Sequence, residues 1–146
     1  MQSQLMTCFT QSRKELKGTK MDENEIAREV VDICFRIHKE FGPGLFERVY
    51  EELFCYELNK RGLEFDRQKG ISLIYDEINM GLAFRPDIIV GKKVIVEIKS
   101  VEKLADVHHK QVLTYLRIAD LRLGLLMNFN ESLIKNGIHR IANALY

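Results

Sequence analysis

Two carboxylates stand where apolar strands ought to exclude them. In Phe84-Arg85-Pro86-Asp87-Ile88-Ile89-Val90-Gly91-Lys92-Lys93-Val94-Ile95-Val96-Glu97-Ile98-Lys99, two runs rich in Ile and Val flank a Gly-Lys-Lys turn. That composition predicts two adjacent β-strands joined as a hairpin. The runs leave no polar face, so both sides of the strands are expected to be covered. Yet Arg85, Asp87, Glu97 and Lys99 lie in the same strands, at the ends far from the turn. Ionised groups in a buried sheet are costly unless they are paired or hold a metal.

Register decides what these groups can do. With a three-residue loop of Gly91, Lys92 and Lys93, Val90 pairs with Val94 and Asp87 lies across from Glu97. Arg85 then faces Lys99, and all four side chains project from one face with Ile89 and Ile95. A two-residue loop would put the two acids on opposite faces, because strand side chains alternate. The sequence admits both, and the three-residue loop is the one expected here. Directly opposed carboxylates have Cβ atoms only about 5 Å apart and repel each other, an arrangement a divalent cation would relieve.

Three further residues complete a constellation drawn from separate elements: Glu47, Gln111 and Tyr115. Carboxylate oxygens suit a hard cation such as Mg²⁺, which is typically held by one or two carboxylates plus substrate phosphate. Asp87 and Glu97 are the expected ligands, with Glu47 acting through water or at a second site. Such a cation polarises a phosphate oxygen and lowers the pKa of a bound water. Lys99 projects from the same face as Glu97, where it could orient that water or stabilise charge at phosphorus. Gln111 and Tyr115 could fix substrate. The same residues also fit an ion-pair lattice, Asp87 and Glu97 against Arg85 and Lys99, that binds nothing. For Glu47, an acid suited to a helix N-terminus is an equally available role.

The elements that must position these residues follow from periodicity. Ile26, Val30, Ile33, Ile37 and Phe41 recur at spacings of three and four, predicting a helix over 23–40 capped by Asp22 or Asn24 and stopped at Gly42-Pro43-Gly44. A second helix is expected over 45–61, with a stripe of Leu45, Val49, Leu53 and Tyr56. Strands are expected over 64–75, 78–90 (bent at Gly81) and 94–99. A helix over 105–119 carries Leu104, His108, Gln111, Val112, Tyr115 and Ala119 on one face. A buried strand over 122–128 and a last helix over 131–143 end the order α, α, β, β, β, α, β, α. One α/β unit results, with no internal repeat.

Composition narrows the function classes. The chain has 146 residues and a net charge of +1, which carries no global nucleic-acid signature. Residues 1–20 hold four basic residues and one acid, leaving 18 basic and 20 acidic residues for 21–146. We therefore expect a flexible basic extension over 1–20 and one domain over 21–146. Cys8, Cys34 and Cys55 have no CxxC spacing and suit an intracellular protein with reduced thiols. No apolar run approaches the ~18 residues of a membrane span, and Met1 to Lys20 lacks an apolar signal core. A cytoplasmic location is expected. Arg85, Lys92, Lys93, Lys103 and His108, with Lys69 and Lys110, are candidate phosphate contacts, although ordinary solvated charge accounts for them too.

At these residues the chain resembles a known family. Pro86-Asp87, the ten-residue step to Glu97-Ile98-Lys99 and the αβββαβ order resemble the PD-(D/E)XK nuclease superfamily, and Gln111-x-x-x-Tyr115 resembles the extra QxxxY motif of its RecB-like branch. Gly42-Pro43-Gly44-Leu45-Phe46-Glu47-Arg48-Val49-Tyr50 looks like the opening of the small GxxExxR proteins of that superfamily, with Tyr50 where the name writes Arg. His108, Leu113 to Leu116, Arg122 to Leu126 and Asn128 to Asn130 extend the likeness. The resemblance implies a restriction-endonuclease-like αβββαβ core, a mixed four-stranded sheet flanked by helices. It also implies Mg²⁺ or Mn²⁺ as cofactor, with Glu47, Asp87, Glu97, Lys99, Gln111 and Tyr115 in the catalytic positions. Because chains of that family begin near Met21, it further implies that residues 1–20 are either an extension or the product of an upstream start. The expected activity is hydrolysis of DNA, RNA being the weaker alternative. A non-catalytic interaction module, working as a homodimer or beside a larger nucleic-acid-processing partner, is the alternative from another class.

Overall fold

The computed structural model describes residues 20–143. The expected extension over 1–20, with Cys8, lies outside the described residues apart from Lys20.

Helix α1 spans Glu23–Phe41 and opens on the expected cap. Asp22 Oδ1 accepts the Glu25 N–H at 2.8 Å, and Glu25 Oε2 accepts the Asp22 N–H at 3.4 Å. Each satisfies an amide that the first turn leaves without a helical partner. Ile26, Val30, Ile33 and Ile37 are buried as their period predicts. The helix ends at Gly42, whose φ of 66° suits a residue without Cβ.

Helix α2 spans Glu47–Lys60, and its most deeply buried face is that of Tyr50 and Phe54, with Leu53 of the expected stripe packed at the core's edge. Tyr50, Phe54 and Leu58 are fully buried beside Glu51 and Cys55, while Tyr56 is exposed. Tyr50 can sit inside because its hydroxyl is satisfied: it donates to the Gly42 carbonyl at 2.6 Å and accepts the Leu45 N–H at 3.2 Å. Its ring stacks on Phe129 with centroids 4.3 Å apart. One side chain thereby pins the Gly42-Pro43-Gly44 bend to the core.

Seven strands follow: β1 Phe65–Arg67, β2 Ile71–Tyr75, β3 Ile78–Phe84, β4 Ile88–Val90, β5 Val94–Lys99, β6 Leu123–Asn128 and β7 Ile138–Ala142, with α3 over Asp106–Ala119 between β5 and β6. The main sheet runs β1-β4-β5-β6-β7. Only β5 and β6 are parallel, joined by the α3 crossover. Val90 pairs with Val94 and Ile88 with Val96, which is the three-residue loop. Gly91 and Lys92 both take positive φ, and Lys93 N–H donates back to the Val90 carbonyl at 3.1 Å. One face of β4 and β5 (Ile88, Val90, Val94, Val96, Ile98) packs on α1 and α2. The other (Ile89, Ile95) packs with Phe84, Val112 and Leu116 under α3. The α3 helix approaches β6 so closely that a Cβ on Gly124 would lie 2.6 Å from Val112 Cγ1.

The α/β class and the restriction-endonuclease-like arrangement are as expected, with three differences of detail. The expected strand over 64–75 is two strands, broken where Gln68 takes φ 52°. The expected strand over 78–90 also divides. Pro86 has no N–H to give to a ladder, so β3 leaves to pair with β2 in a separate two-stranded sheet. Arg85 therefore lies outside the ladder and does not face Lys99. The last helix over 131–143 is replaced by a short 3₁₀ turn, Ile134–Gly137, and strand β7. Ile134, Ile138 and Ile141 fit either period. Pairing with β6 wins because it satisfies the open backbone edge of a fully buried strand. The main sheet thus has five strands rather than four.

Candidate active site

The hairpin register carries Asp87 and Glu97 to opposite ends of one rung, just beyond the Ile88–Val96 pair. Asp87 N–H donates to Glu97 Oε1 at 3.0 Å, and Ile98 N–H donates to Asp87 Oδ2 at 2.8 Å. Each acid stands two residues from Ile89 or Ile95 on its strand and so shares their face, the α3 face of the sheet. Glu97 is 7% exposed.

This burial has an electrostatic consequence. Removal from water, then the charge of Asp87, pushes the Glu97 carboxyl up to about 8, against the opposing pull of the Asp87 N–H and of Lys99. Asp87 is raised too, first by burial and then by Glu51, while the Ile98 and Gln68 hydrogen bonds and Lys99 oppose the rise. Two desolvated acids with one nearby ammonium carry surplus negative charge that calls for a proton or a cation. The pair therefore fits a hard divalent cation by the chemistry of its donors.

Lys99 is half-buried at the end of β5 and lies two residues beyond Glu97, on the same face. Tyr115 stacks on Phe84 with centroids 4.1 Å apart and rings 2° from parallel. Its hydroxyl is shifted upward by burial and then by the charges of Glu97 and Asp87, which places it in their neighbourhood. Gln111, one turn earlier, is exposed, and the buried stripe of α3 is Val112 and Leu116. His108 closes the start of α3: its Nδ1 accepts the Ala105 N–H at 3.0 Å.

Glu47 reaches the same end of β5 from the other side of the sheet. Its Oε1 accepts the Ser100 N–H at 3.1 Å, and Ser100 Oγ donates to the Leu45 carbonyl at 2.9 Å. Ser100 thus clasps the first turn of α2, and Tyr50 holds the bend that precedes it. Among the described residues no group of three or more His, Cys, Asp or Glu side chains is placed to hold a metal. Glu47 is accordingly not drawn into one ligand cluster with Asp87 and Glu97.

One participant escaped the sequence. Glu51 is 7% exposed on α2 and accepts Arg67 Nε and Gln68 Nε2, each at 2.7 Å. Gln68 Nε2 also donates to Asp87 Oδ1 at 3.1 Å. Gln68 therefore bridges two carboxylates from separate elements, using the backbone break that divides β1 from β2. Glu51 stands four residues after Glu47, and that helical spacing was the available signal.

The candidate phosphate contacts are dispersed. Lys92 Nζ lies 3.6 Å from Glu64, and Lys93 Nζ donates to the Met21 carbonyl at 2.5 Å. Both belong to the hairpin turn, roughly 15 Å along the strands from the two acids at about 3.4 Å per residue. Arg85, Lys69, Lys103 and Lys110 are exposed. Arg85 immediately precedes Pro86-Asp87, and Lys103 lies in the loop after β5.

The profile of the PD-(D/E)XK nuclease superfamily matches residues 24–141. The chain belongs to that superfamily. No curated protein and no solved structure gives a significant match. The matched span covers all but the first residue of α1 and the last of β7, and includes the carboxylate pair and Lys99. Nuclease-type chemistry on nucleic acid is what membership suggests, and the superfamily generally works with divalent metal ions. Among the described residues no helix is long and apolar enough to cross a membrane.

Proposed function

We propose that this chain is a Mg²⁺- or Mn²⁺-dependent nuclease that hydrolyses phosphodiester bonds in DNA. The supporting observation is the opposed pair Asp87 and Glu97, buried on one face with Lys99 and carrying more negative charge than its surroundings neutralise. Within this reading Asp87 and Glu97 hold the cation and Glu47 acts from the second sphere. When bound, the cation supplies Lewis-acid polarisation of the phosphate and a water of lowered pKa.

The chain's own residues do the rest. Lys99 presents its ammonium to the charge that grows on the phosphoryl oxygens, a contribution that increases toward the transition state. Tyr115, fixed against Phe84, and Gln111, on the open side of α3, are placed to contact the substrate strand. Gln68 restrains the Asp87 carboxylate, so orientation of the ligand is supplied before binding. Arg85 and Lys103 flank the acids and are the best placed of the candidate phosphate contacts. Lys92 and Lys93 could meet only a distant part of a bound duplex. The segment from Gly42 to Tyr50 supports assignment to the GxxExxR group. The buried thiols Cys34 and Cys55 are free, in keeping with the cytoplasm.

The test is incubation of the pure chain with supercoiled, linear and single-stranded DNA and with RNA, in Mg²⁺ or Mn²⁺, beside Asp87→Ala and Lys99→Ala. Metal-dependent cleavage of DNA, lost in both variants, is expected. Cleavage unchanged in both would assign the activity elsewhere and sink the reading.

A further inference from the structure

The β2–β3 hairpin stands apart from the main sheet and is nearly all apolar. Ile71 and Phe84 anchor its base beneath α3. Beyond them Leu73, Ile74, Tyr75, Ile78, Met80 and Leu82 are all exposed, Tyr75 at 64% and Ile78 at 60%. Tyr75 pairs with Ile78 and, by the alternation of β2, shares a face with Leu73 and with the Ile71–Phe84 pair at the base, whereas two register shifts in the hairpin put Leu82, opposite Ser72, on the other face with Ile74. An exposed strand normally carries charges that discourage association. Between Gly70 and Phe84 the only charged residues are Asp76 and Glu77 at the tip.

We propose that this hairpin is a self-association surface, packing face to face on the same hairpin of a second copy of this chain. Two observations favour a second copy. The charge is self-complementary. Asp76 and Glu77 stand at the tip, whereas exposed Lys69 and Arg85 flank the base. In a two-fold pairing with hairpins antiparallel, each acidic tip meets the basic base of its partner, as an isologous contact requires. Finally, the absence of Lys and Arg along the strands, together with an acidic tip, disfavours phosphate-bearing partners such as nucleic acid or an anionic membrane.

Sedimentation velocity on the full chain tests this without reference to cleavage. A concentration-dependent species at twice the 17.1 kDa chain mass is expected at micromolar concentration. Ile78→Lys and Met80→Lys change side chains outside the core, so circular dichroism should be unchanged while the dimer dissociation constant rises at least ~10-fold. Lys69→Glu with Arg85→Glu should weaken the dimer at low salt, and 1 M salt, roughly a 3 Å screening length, should erase most of that difference. A wild-type monomer up to ~100 µM would overturn the proposal. So would a dimer insensitive to both lysine variants, and an unchanged constant in the charge-reversed variant would reject the antiparallel alignment.

Discussion

Replacing Glu97 by Gln separates what the acid costs the fold from what it does for the chemistry. Its carboxyl titrates near 8 in the folded chain, against 4.5 for an unperturbed Glu. Between those values the native state holds a proton that the unfolded state has released. Stability of the metal-free protein therefore falls as pH rises from about 4.5, and levels off above about 8. At ~1.36 kcal/mol per unit the full effect is on the order of 5 kcal/mol, and the upward shift of Asp87 acts in the same direction. Gln keeps an acceptor for the Asp87 N–H, now 3.0 Å from Oε1, and carries no charge at any pH. In a chelator, Glu97→Gln should match the wild type near pH 4.5 and exceed it by a few kcal/mol at pH 9. Urea unfolding across that range measures both. Added Mg²⁺ or Mn²⁺ should then stabilise the wild type by mass action, and Glu97→Gln should gain much less. Equal stability of the two proteins at pH 9 without metal would refute the argument, as would equal gains on adding metal.

Lys99→Ala should lower any metal-dependent cleavage by ~10²-fold or more, while the stabilisation conferred by the cation, read from thermal melts, persists. Gln68→Ala removes the bridge between Glu51 and Asp87, and should cost about 1–3 kcal/mol in urea unfolding because it leaves charged acceptors underserved. Tyr50→Phe keeps the stack on Phe129 and loses the hydroxyl that holds Gly42 and Leu45. A loss of about 1–2 kcal/mol is expected, with faster amide exchange at Leu45 and Ser100 as the local readout.

What was legible in the sequence was whatever depends on neighbours along the chain. Apolar periodicity and a side-chain cap suffice for α1. The Gly91-Lys92-Lys93 turn admitted two registers, and the structure takes the expected three-residue loop, which puts Asp87 across from Glu97. The contacts that tertiary packing decided are of another kind. On α2, period alone could not choose between the Leu53 stripe and the Tyr50 stripe. The choice fell to Tyr50 because Gly42, Leu45 and Phe129 receive both its hydroxyl and its ring. Glu51, beside Glu52 on a helix, reads as solvated charge until Arg67 and Gln68 arrive from a strand break that no periodicity marks. Ile138 and Ile141 became a strand because β6 had an edge to satisfy. Burial and partner supply are properties of the assembled chain. Helix and turn geometry are properties of a few consecutive residues, which is why the sequence carries Asp87, Glu97 and Lys99 by itself and only the folded structure adds Glu51 and Gln68.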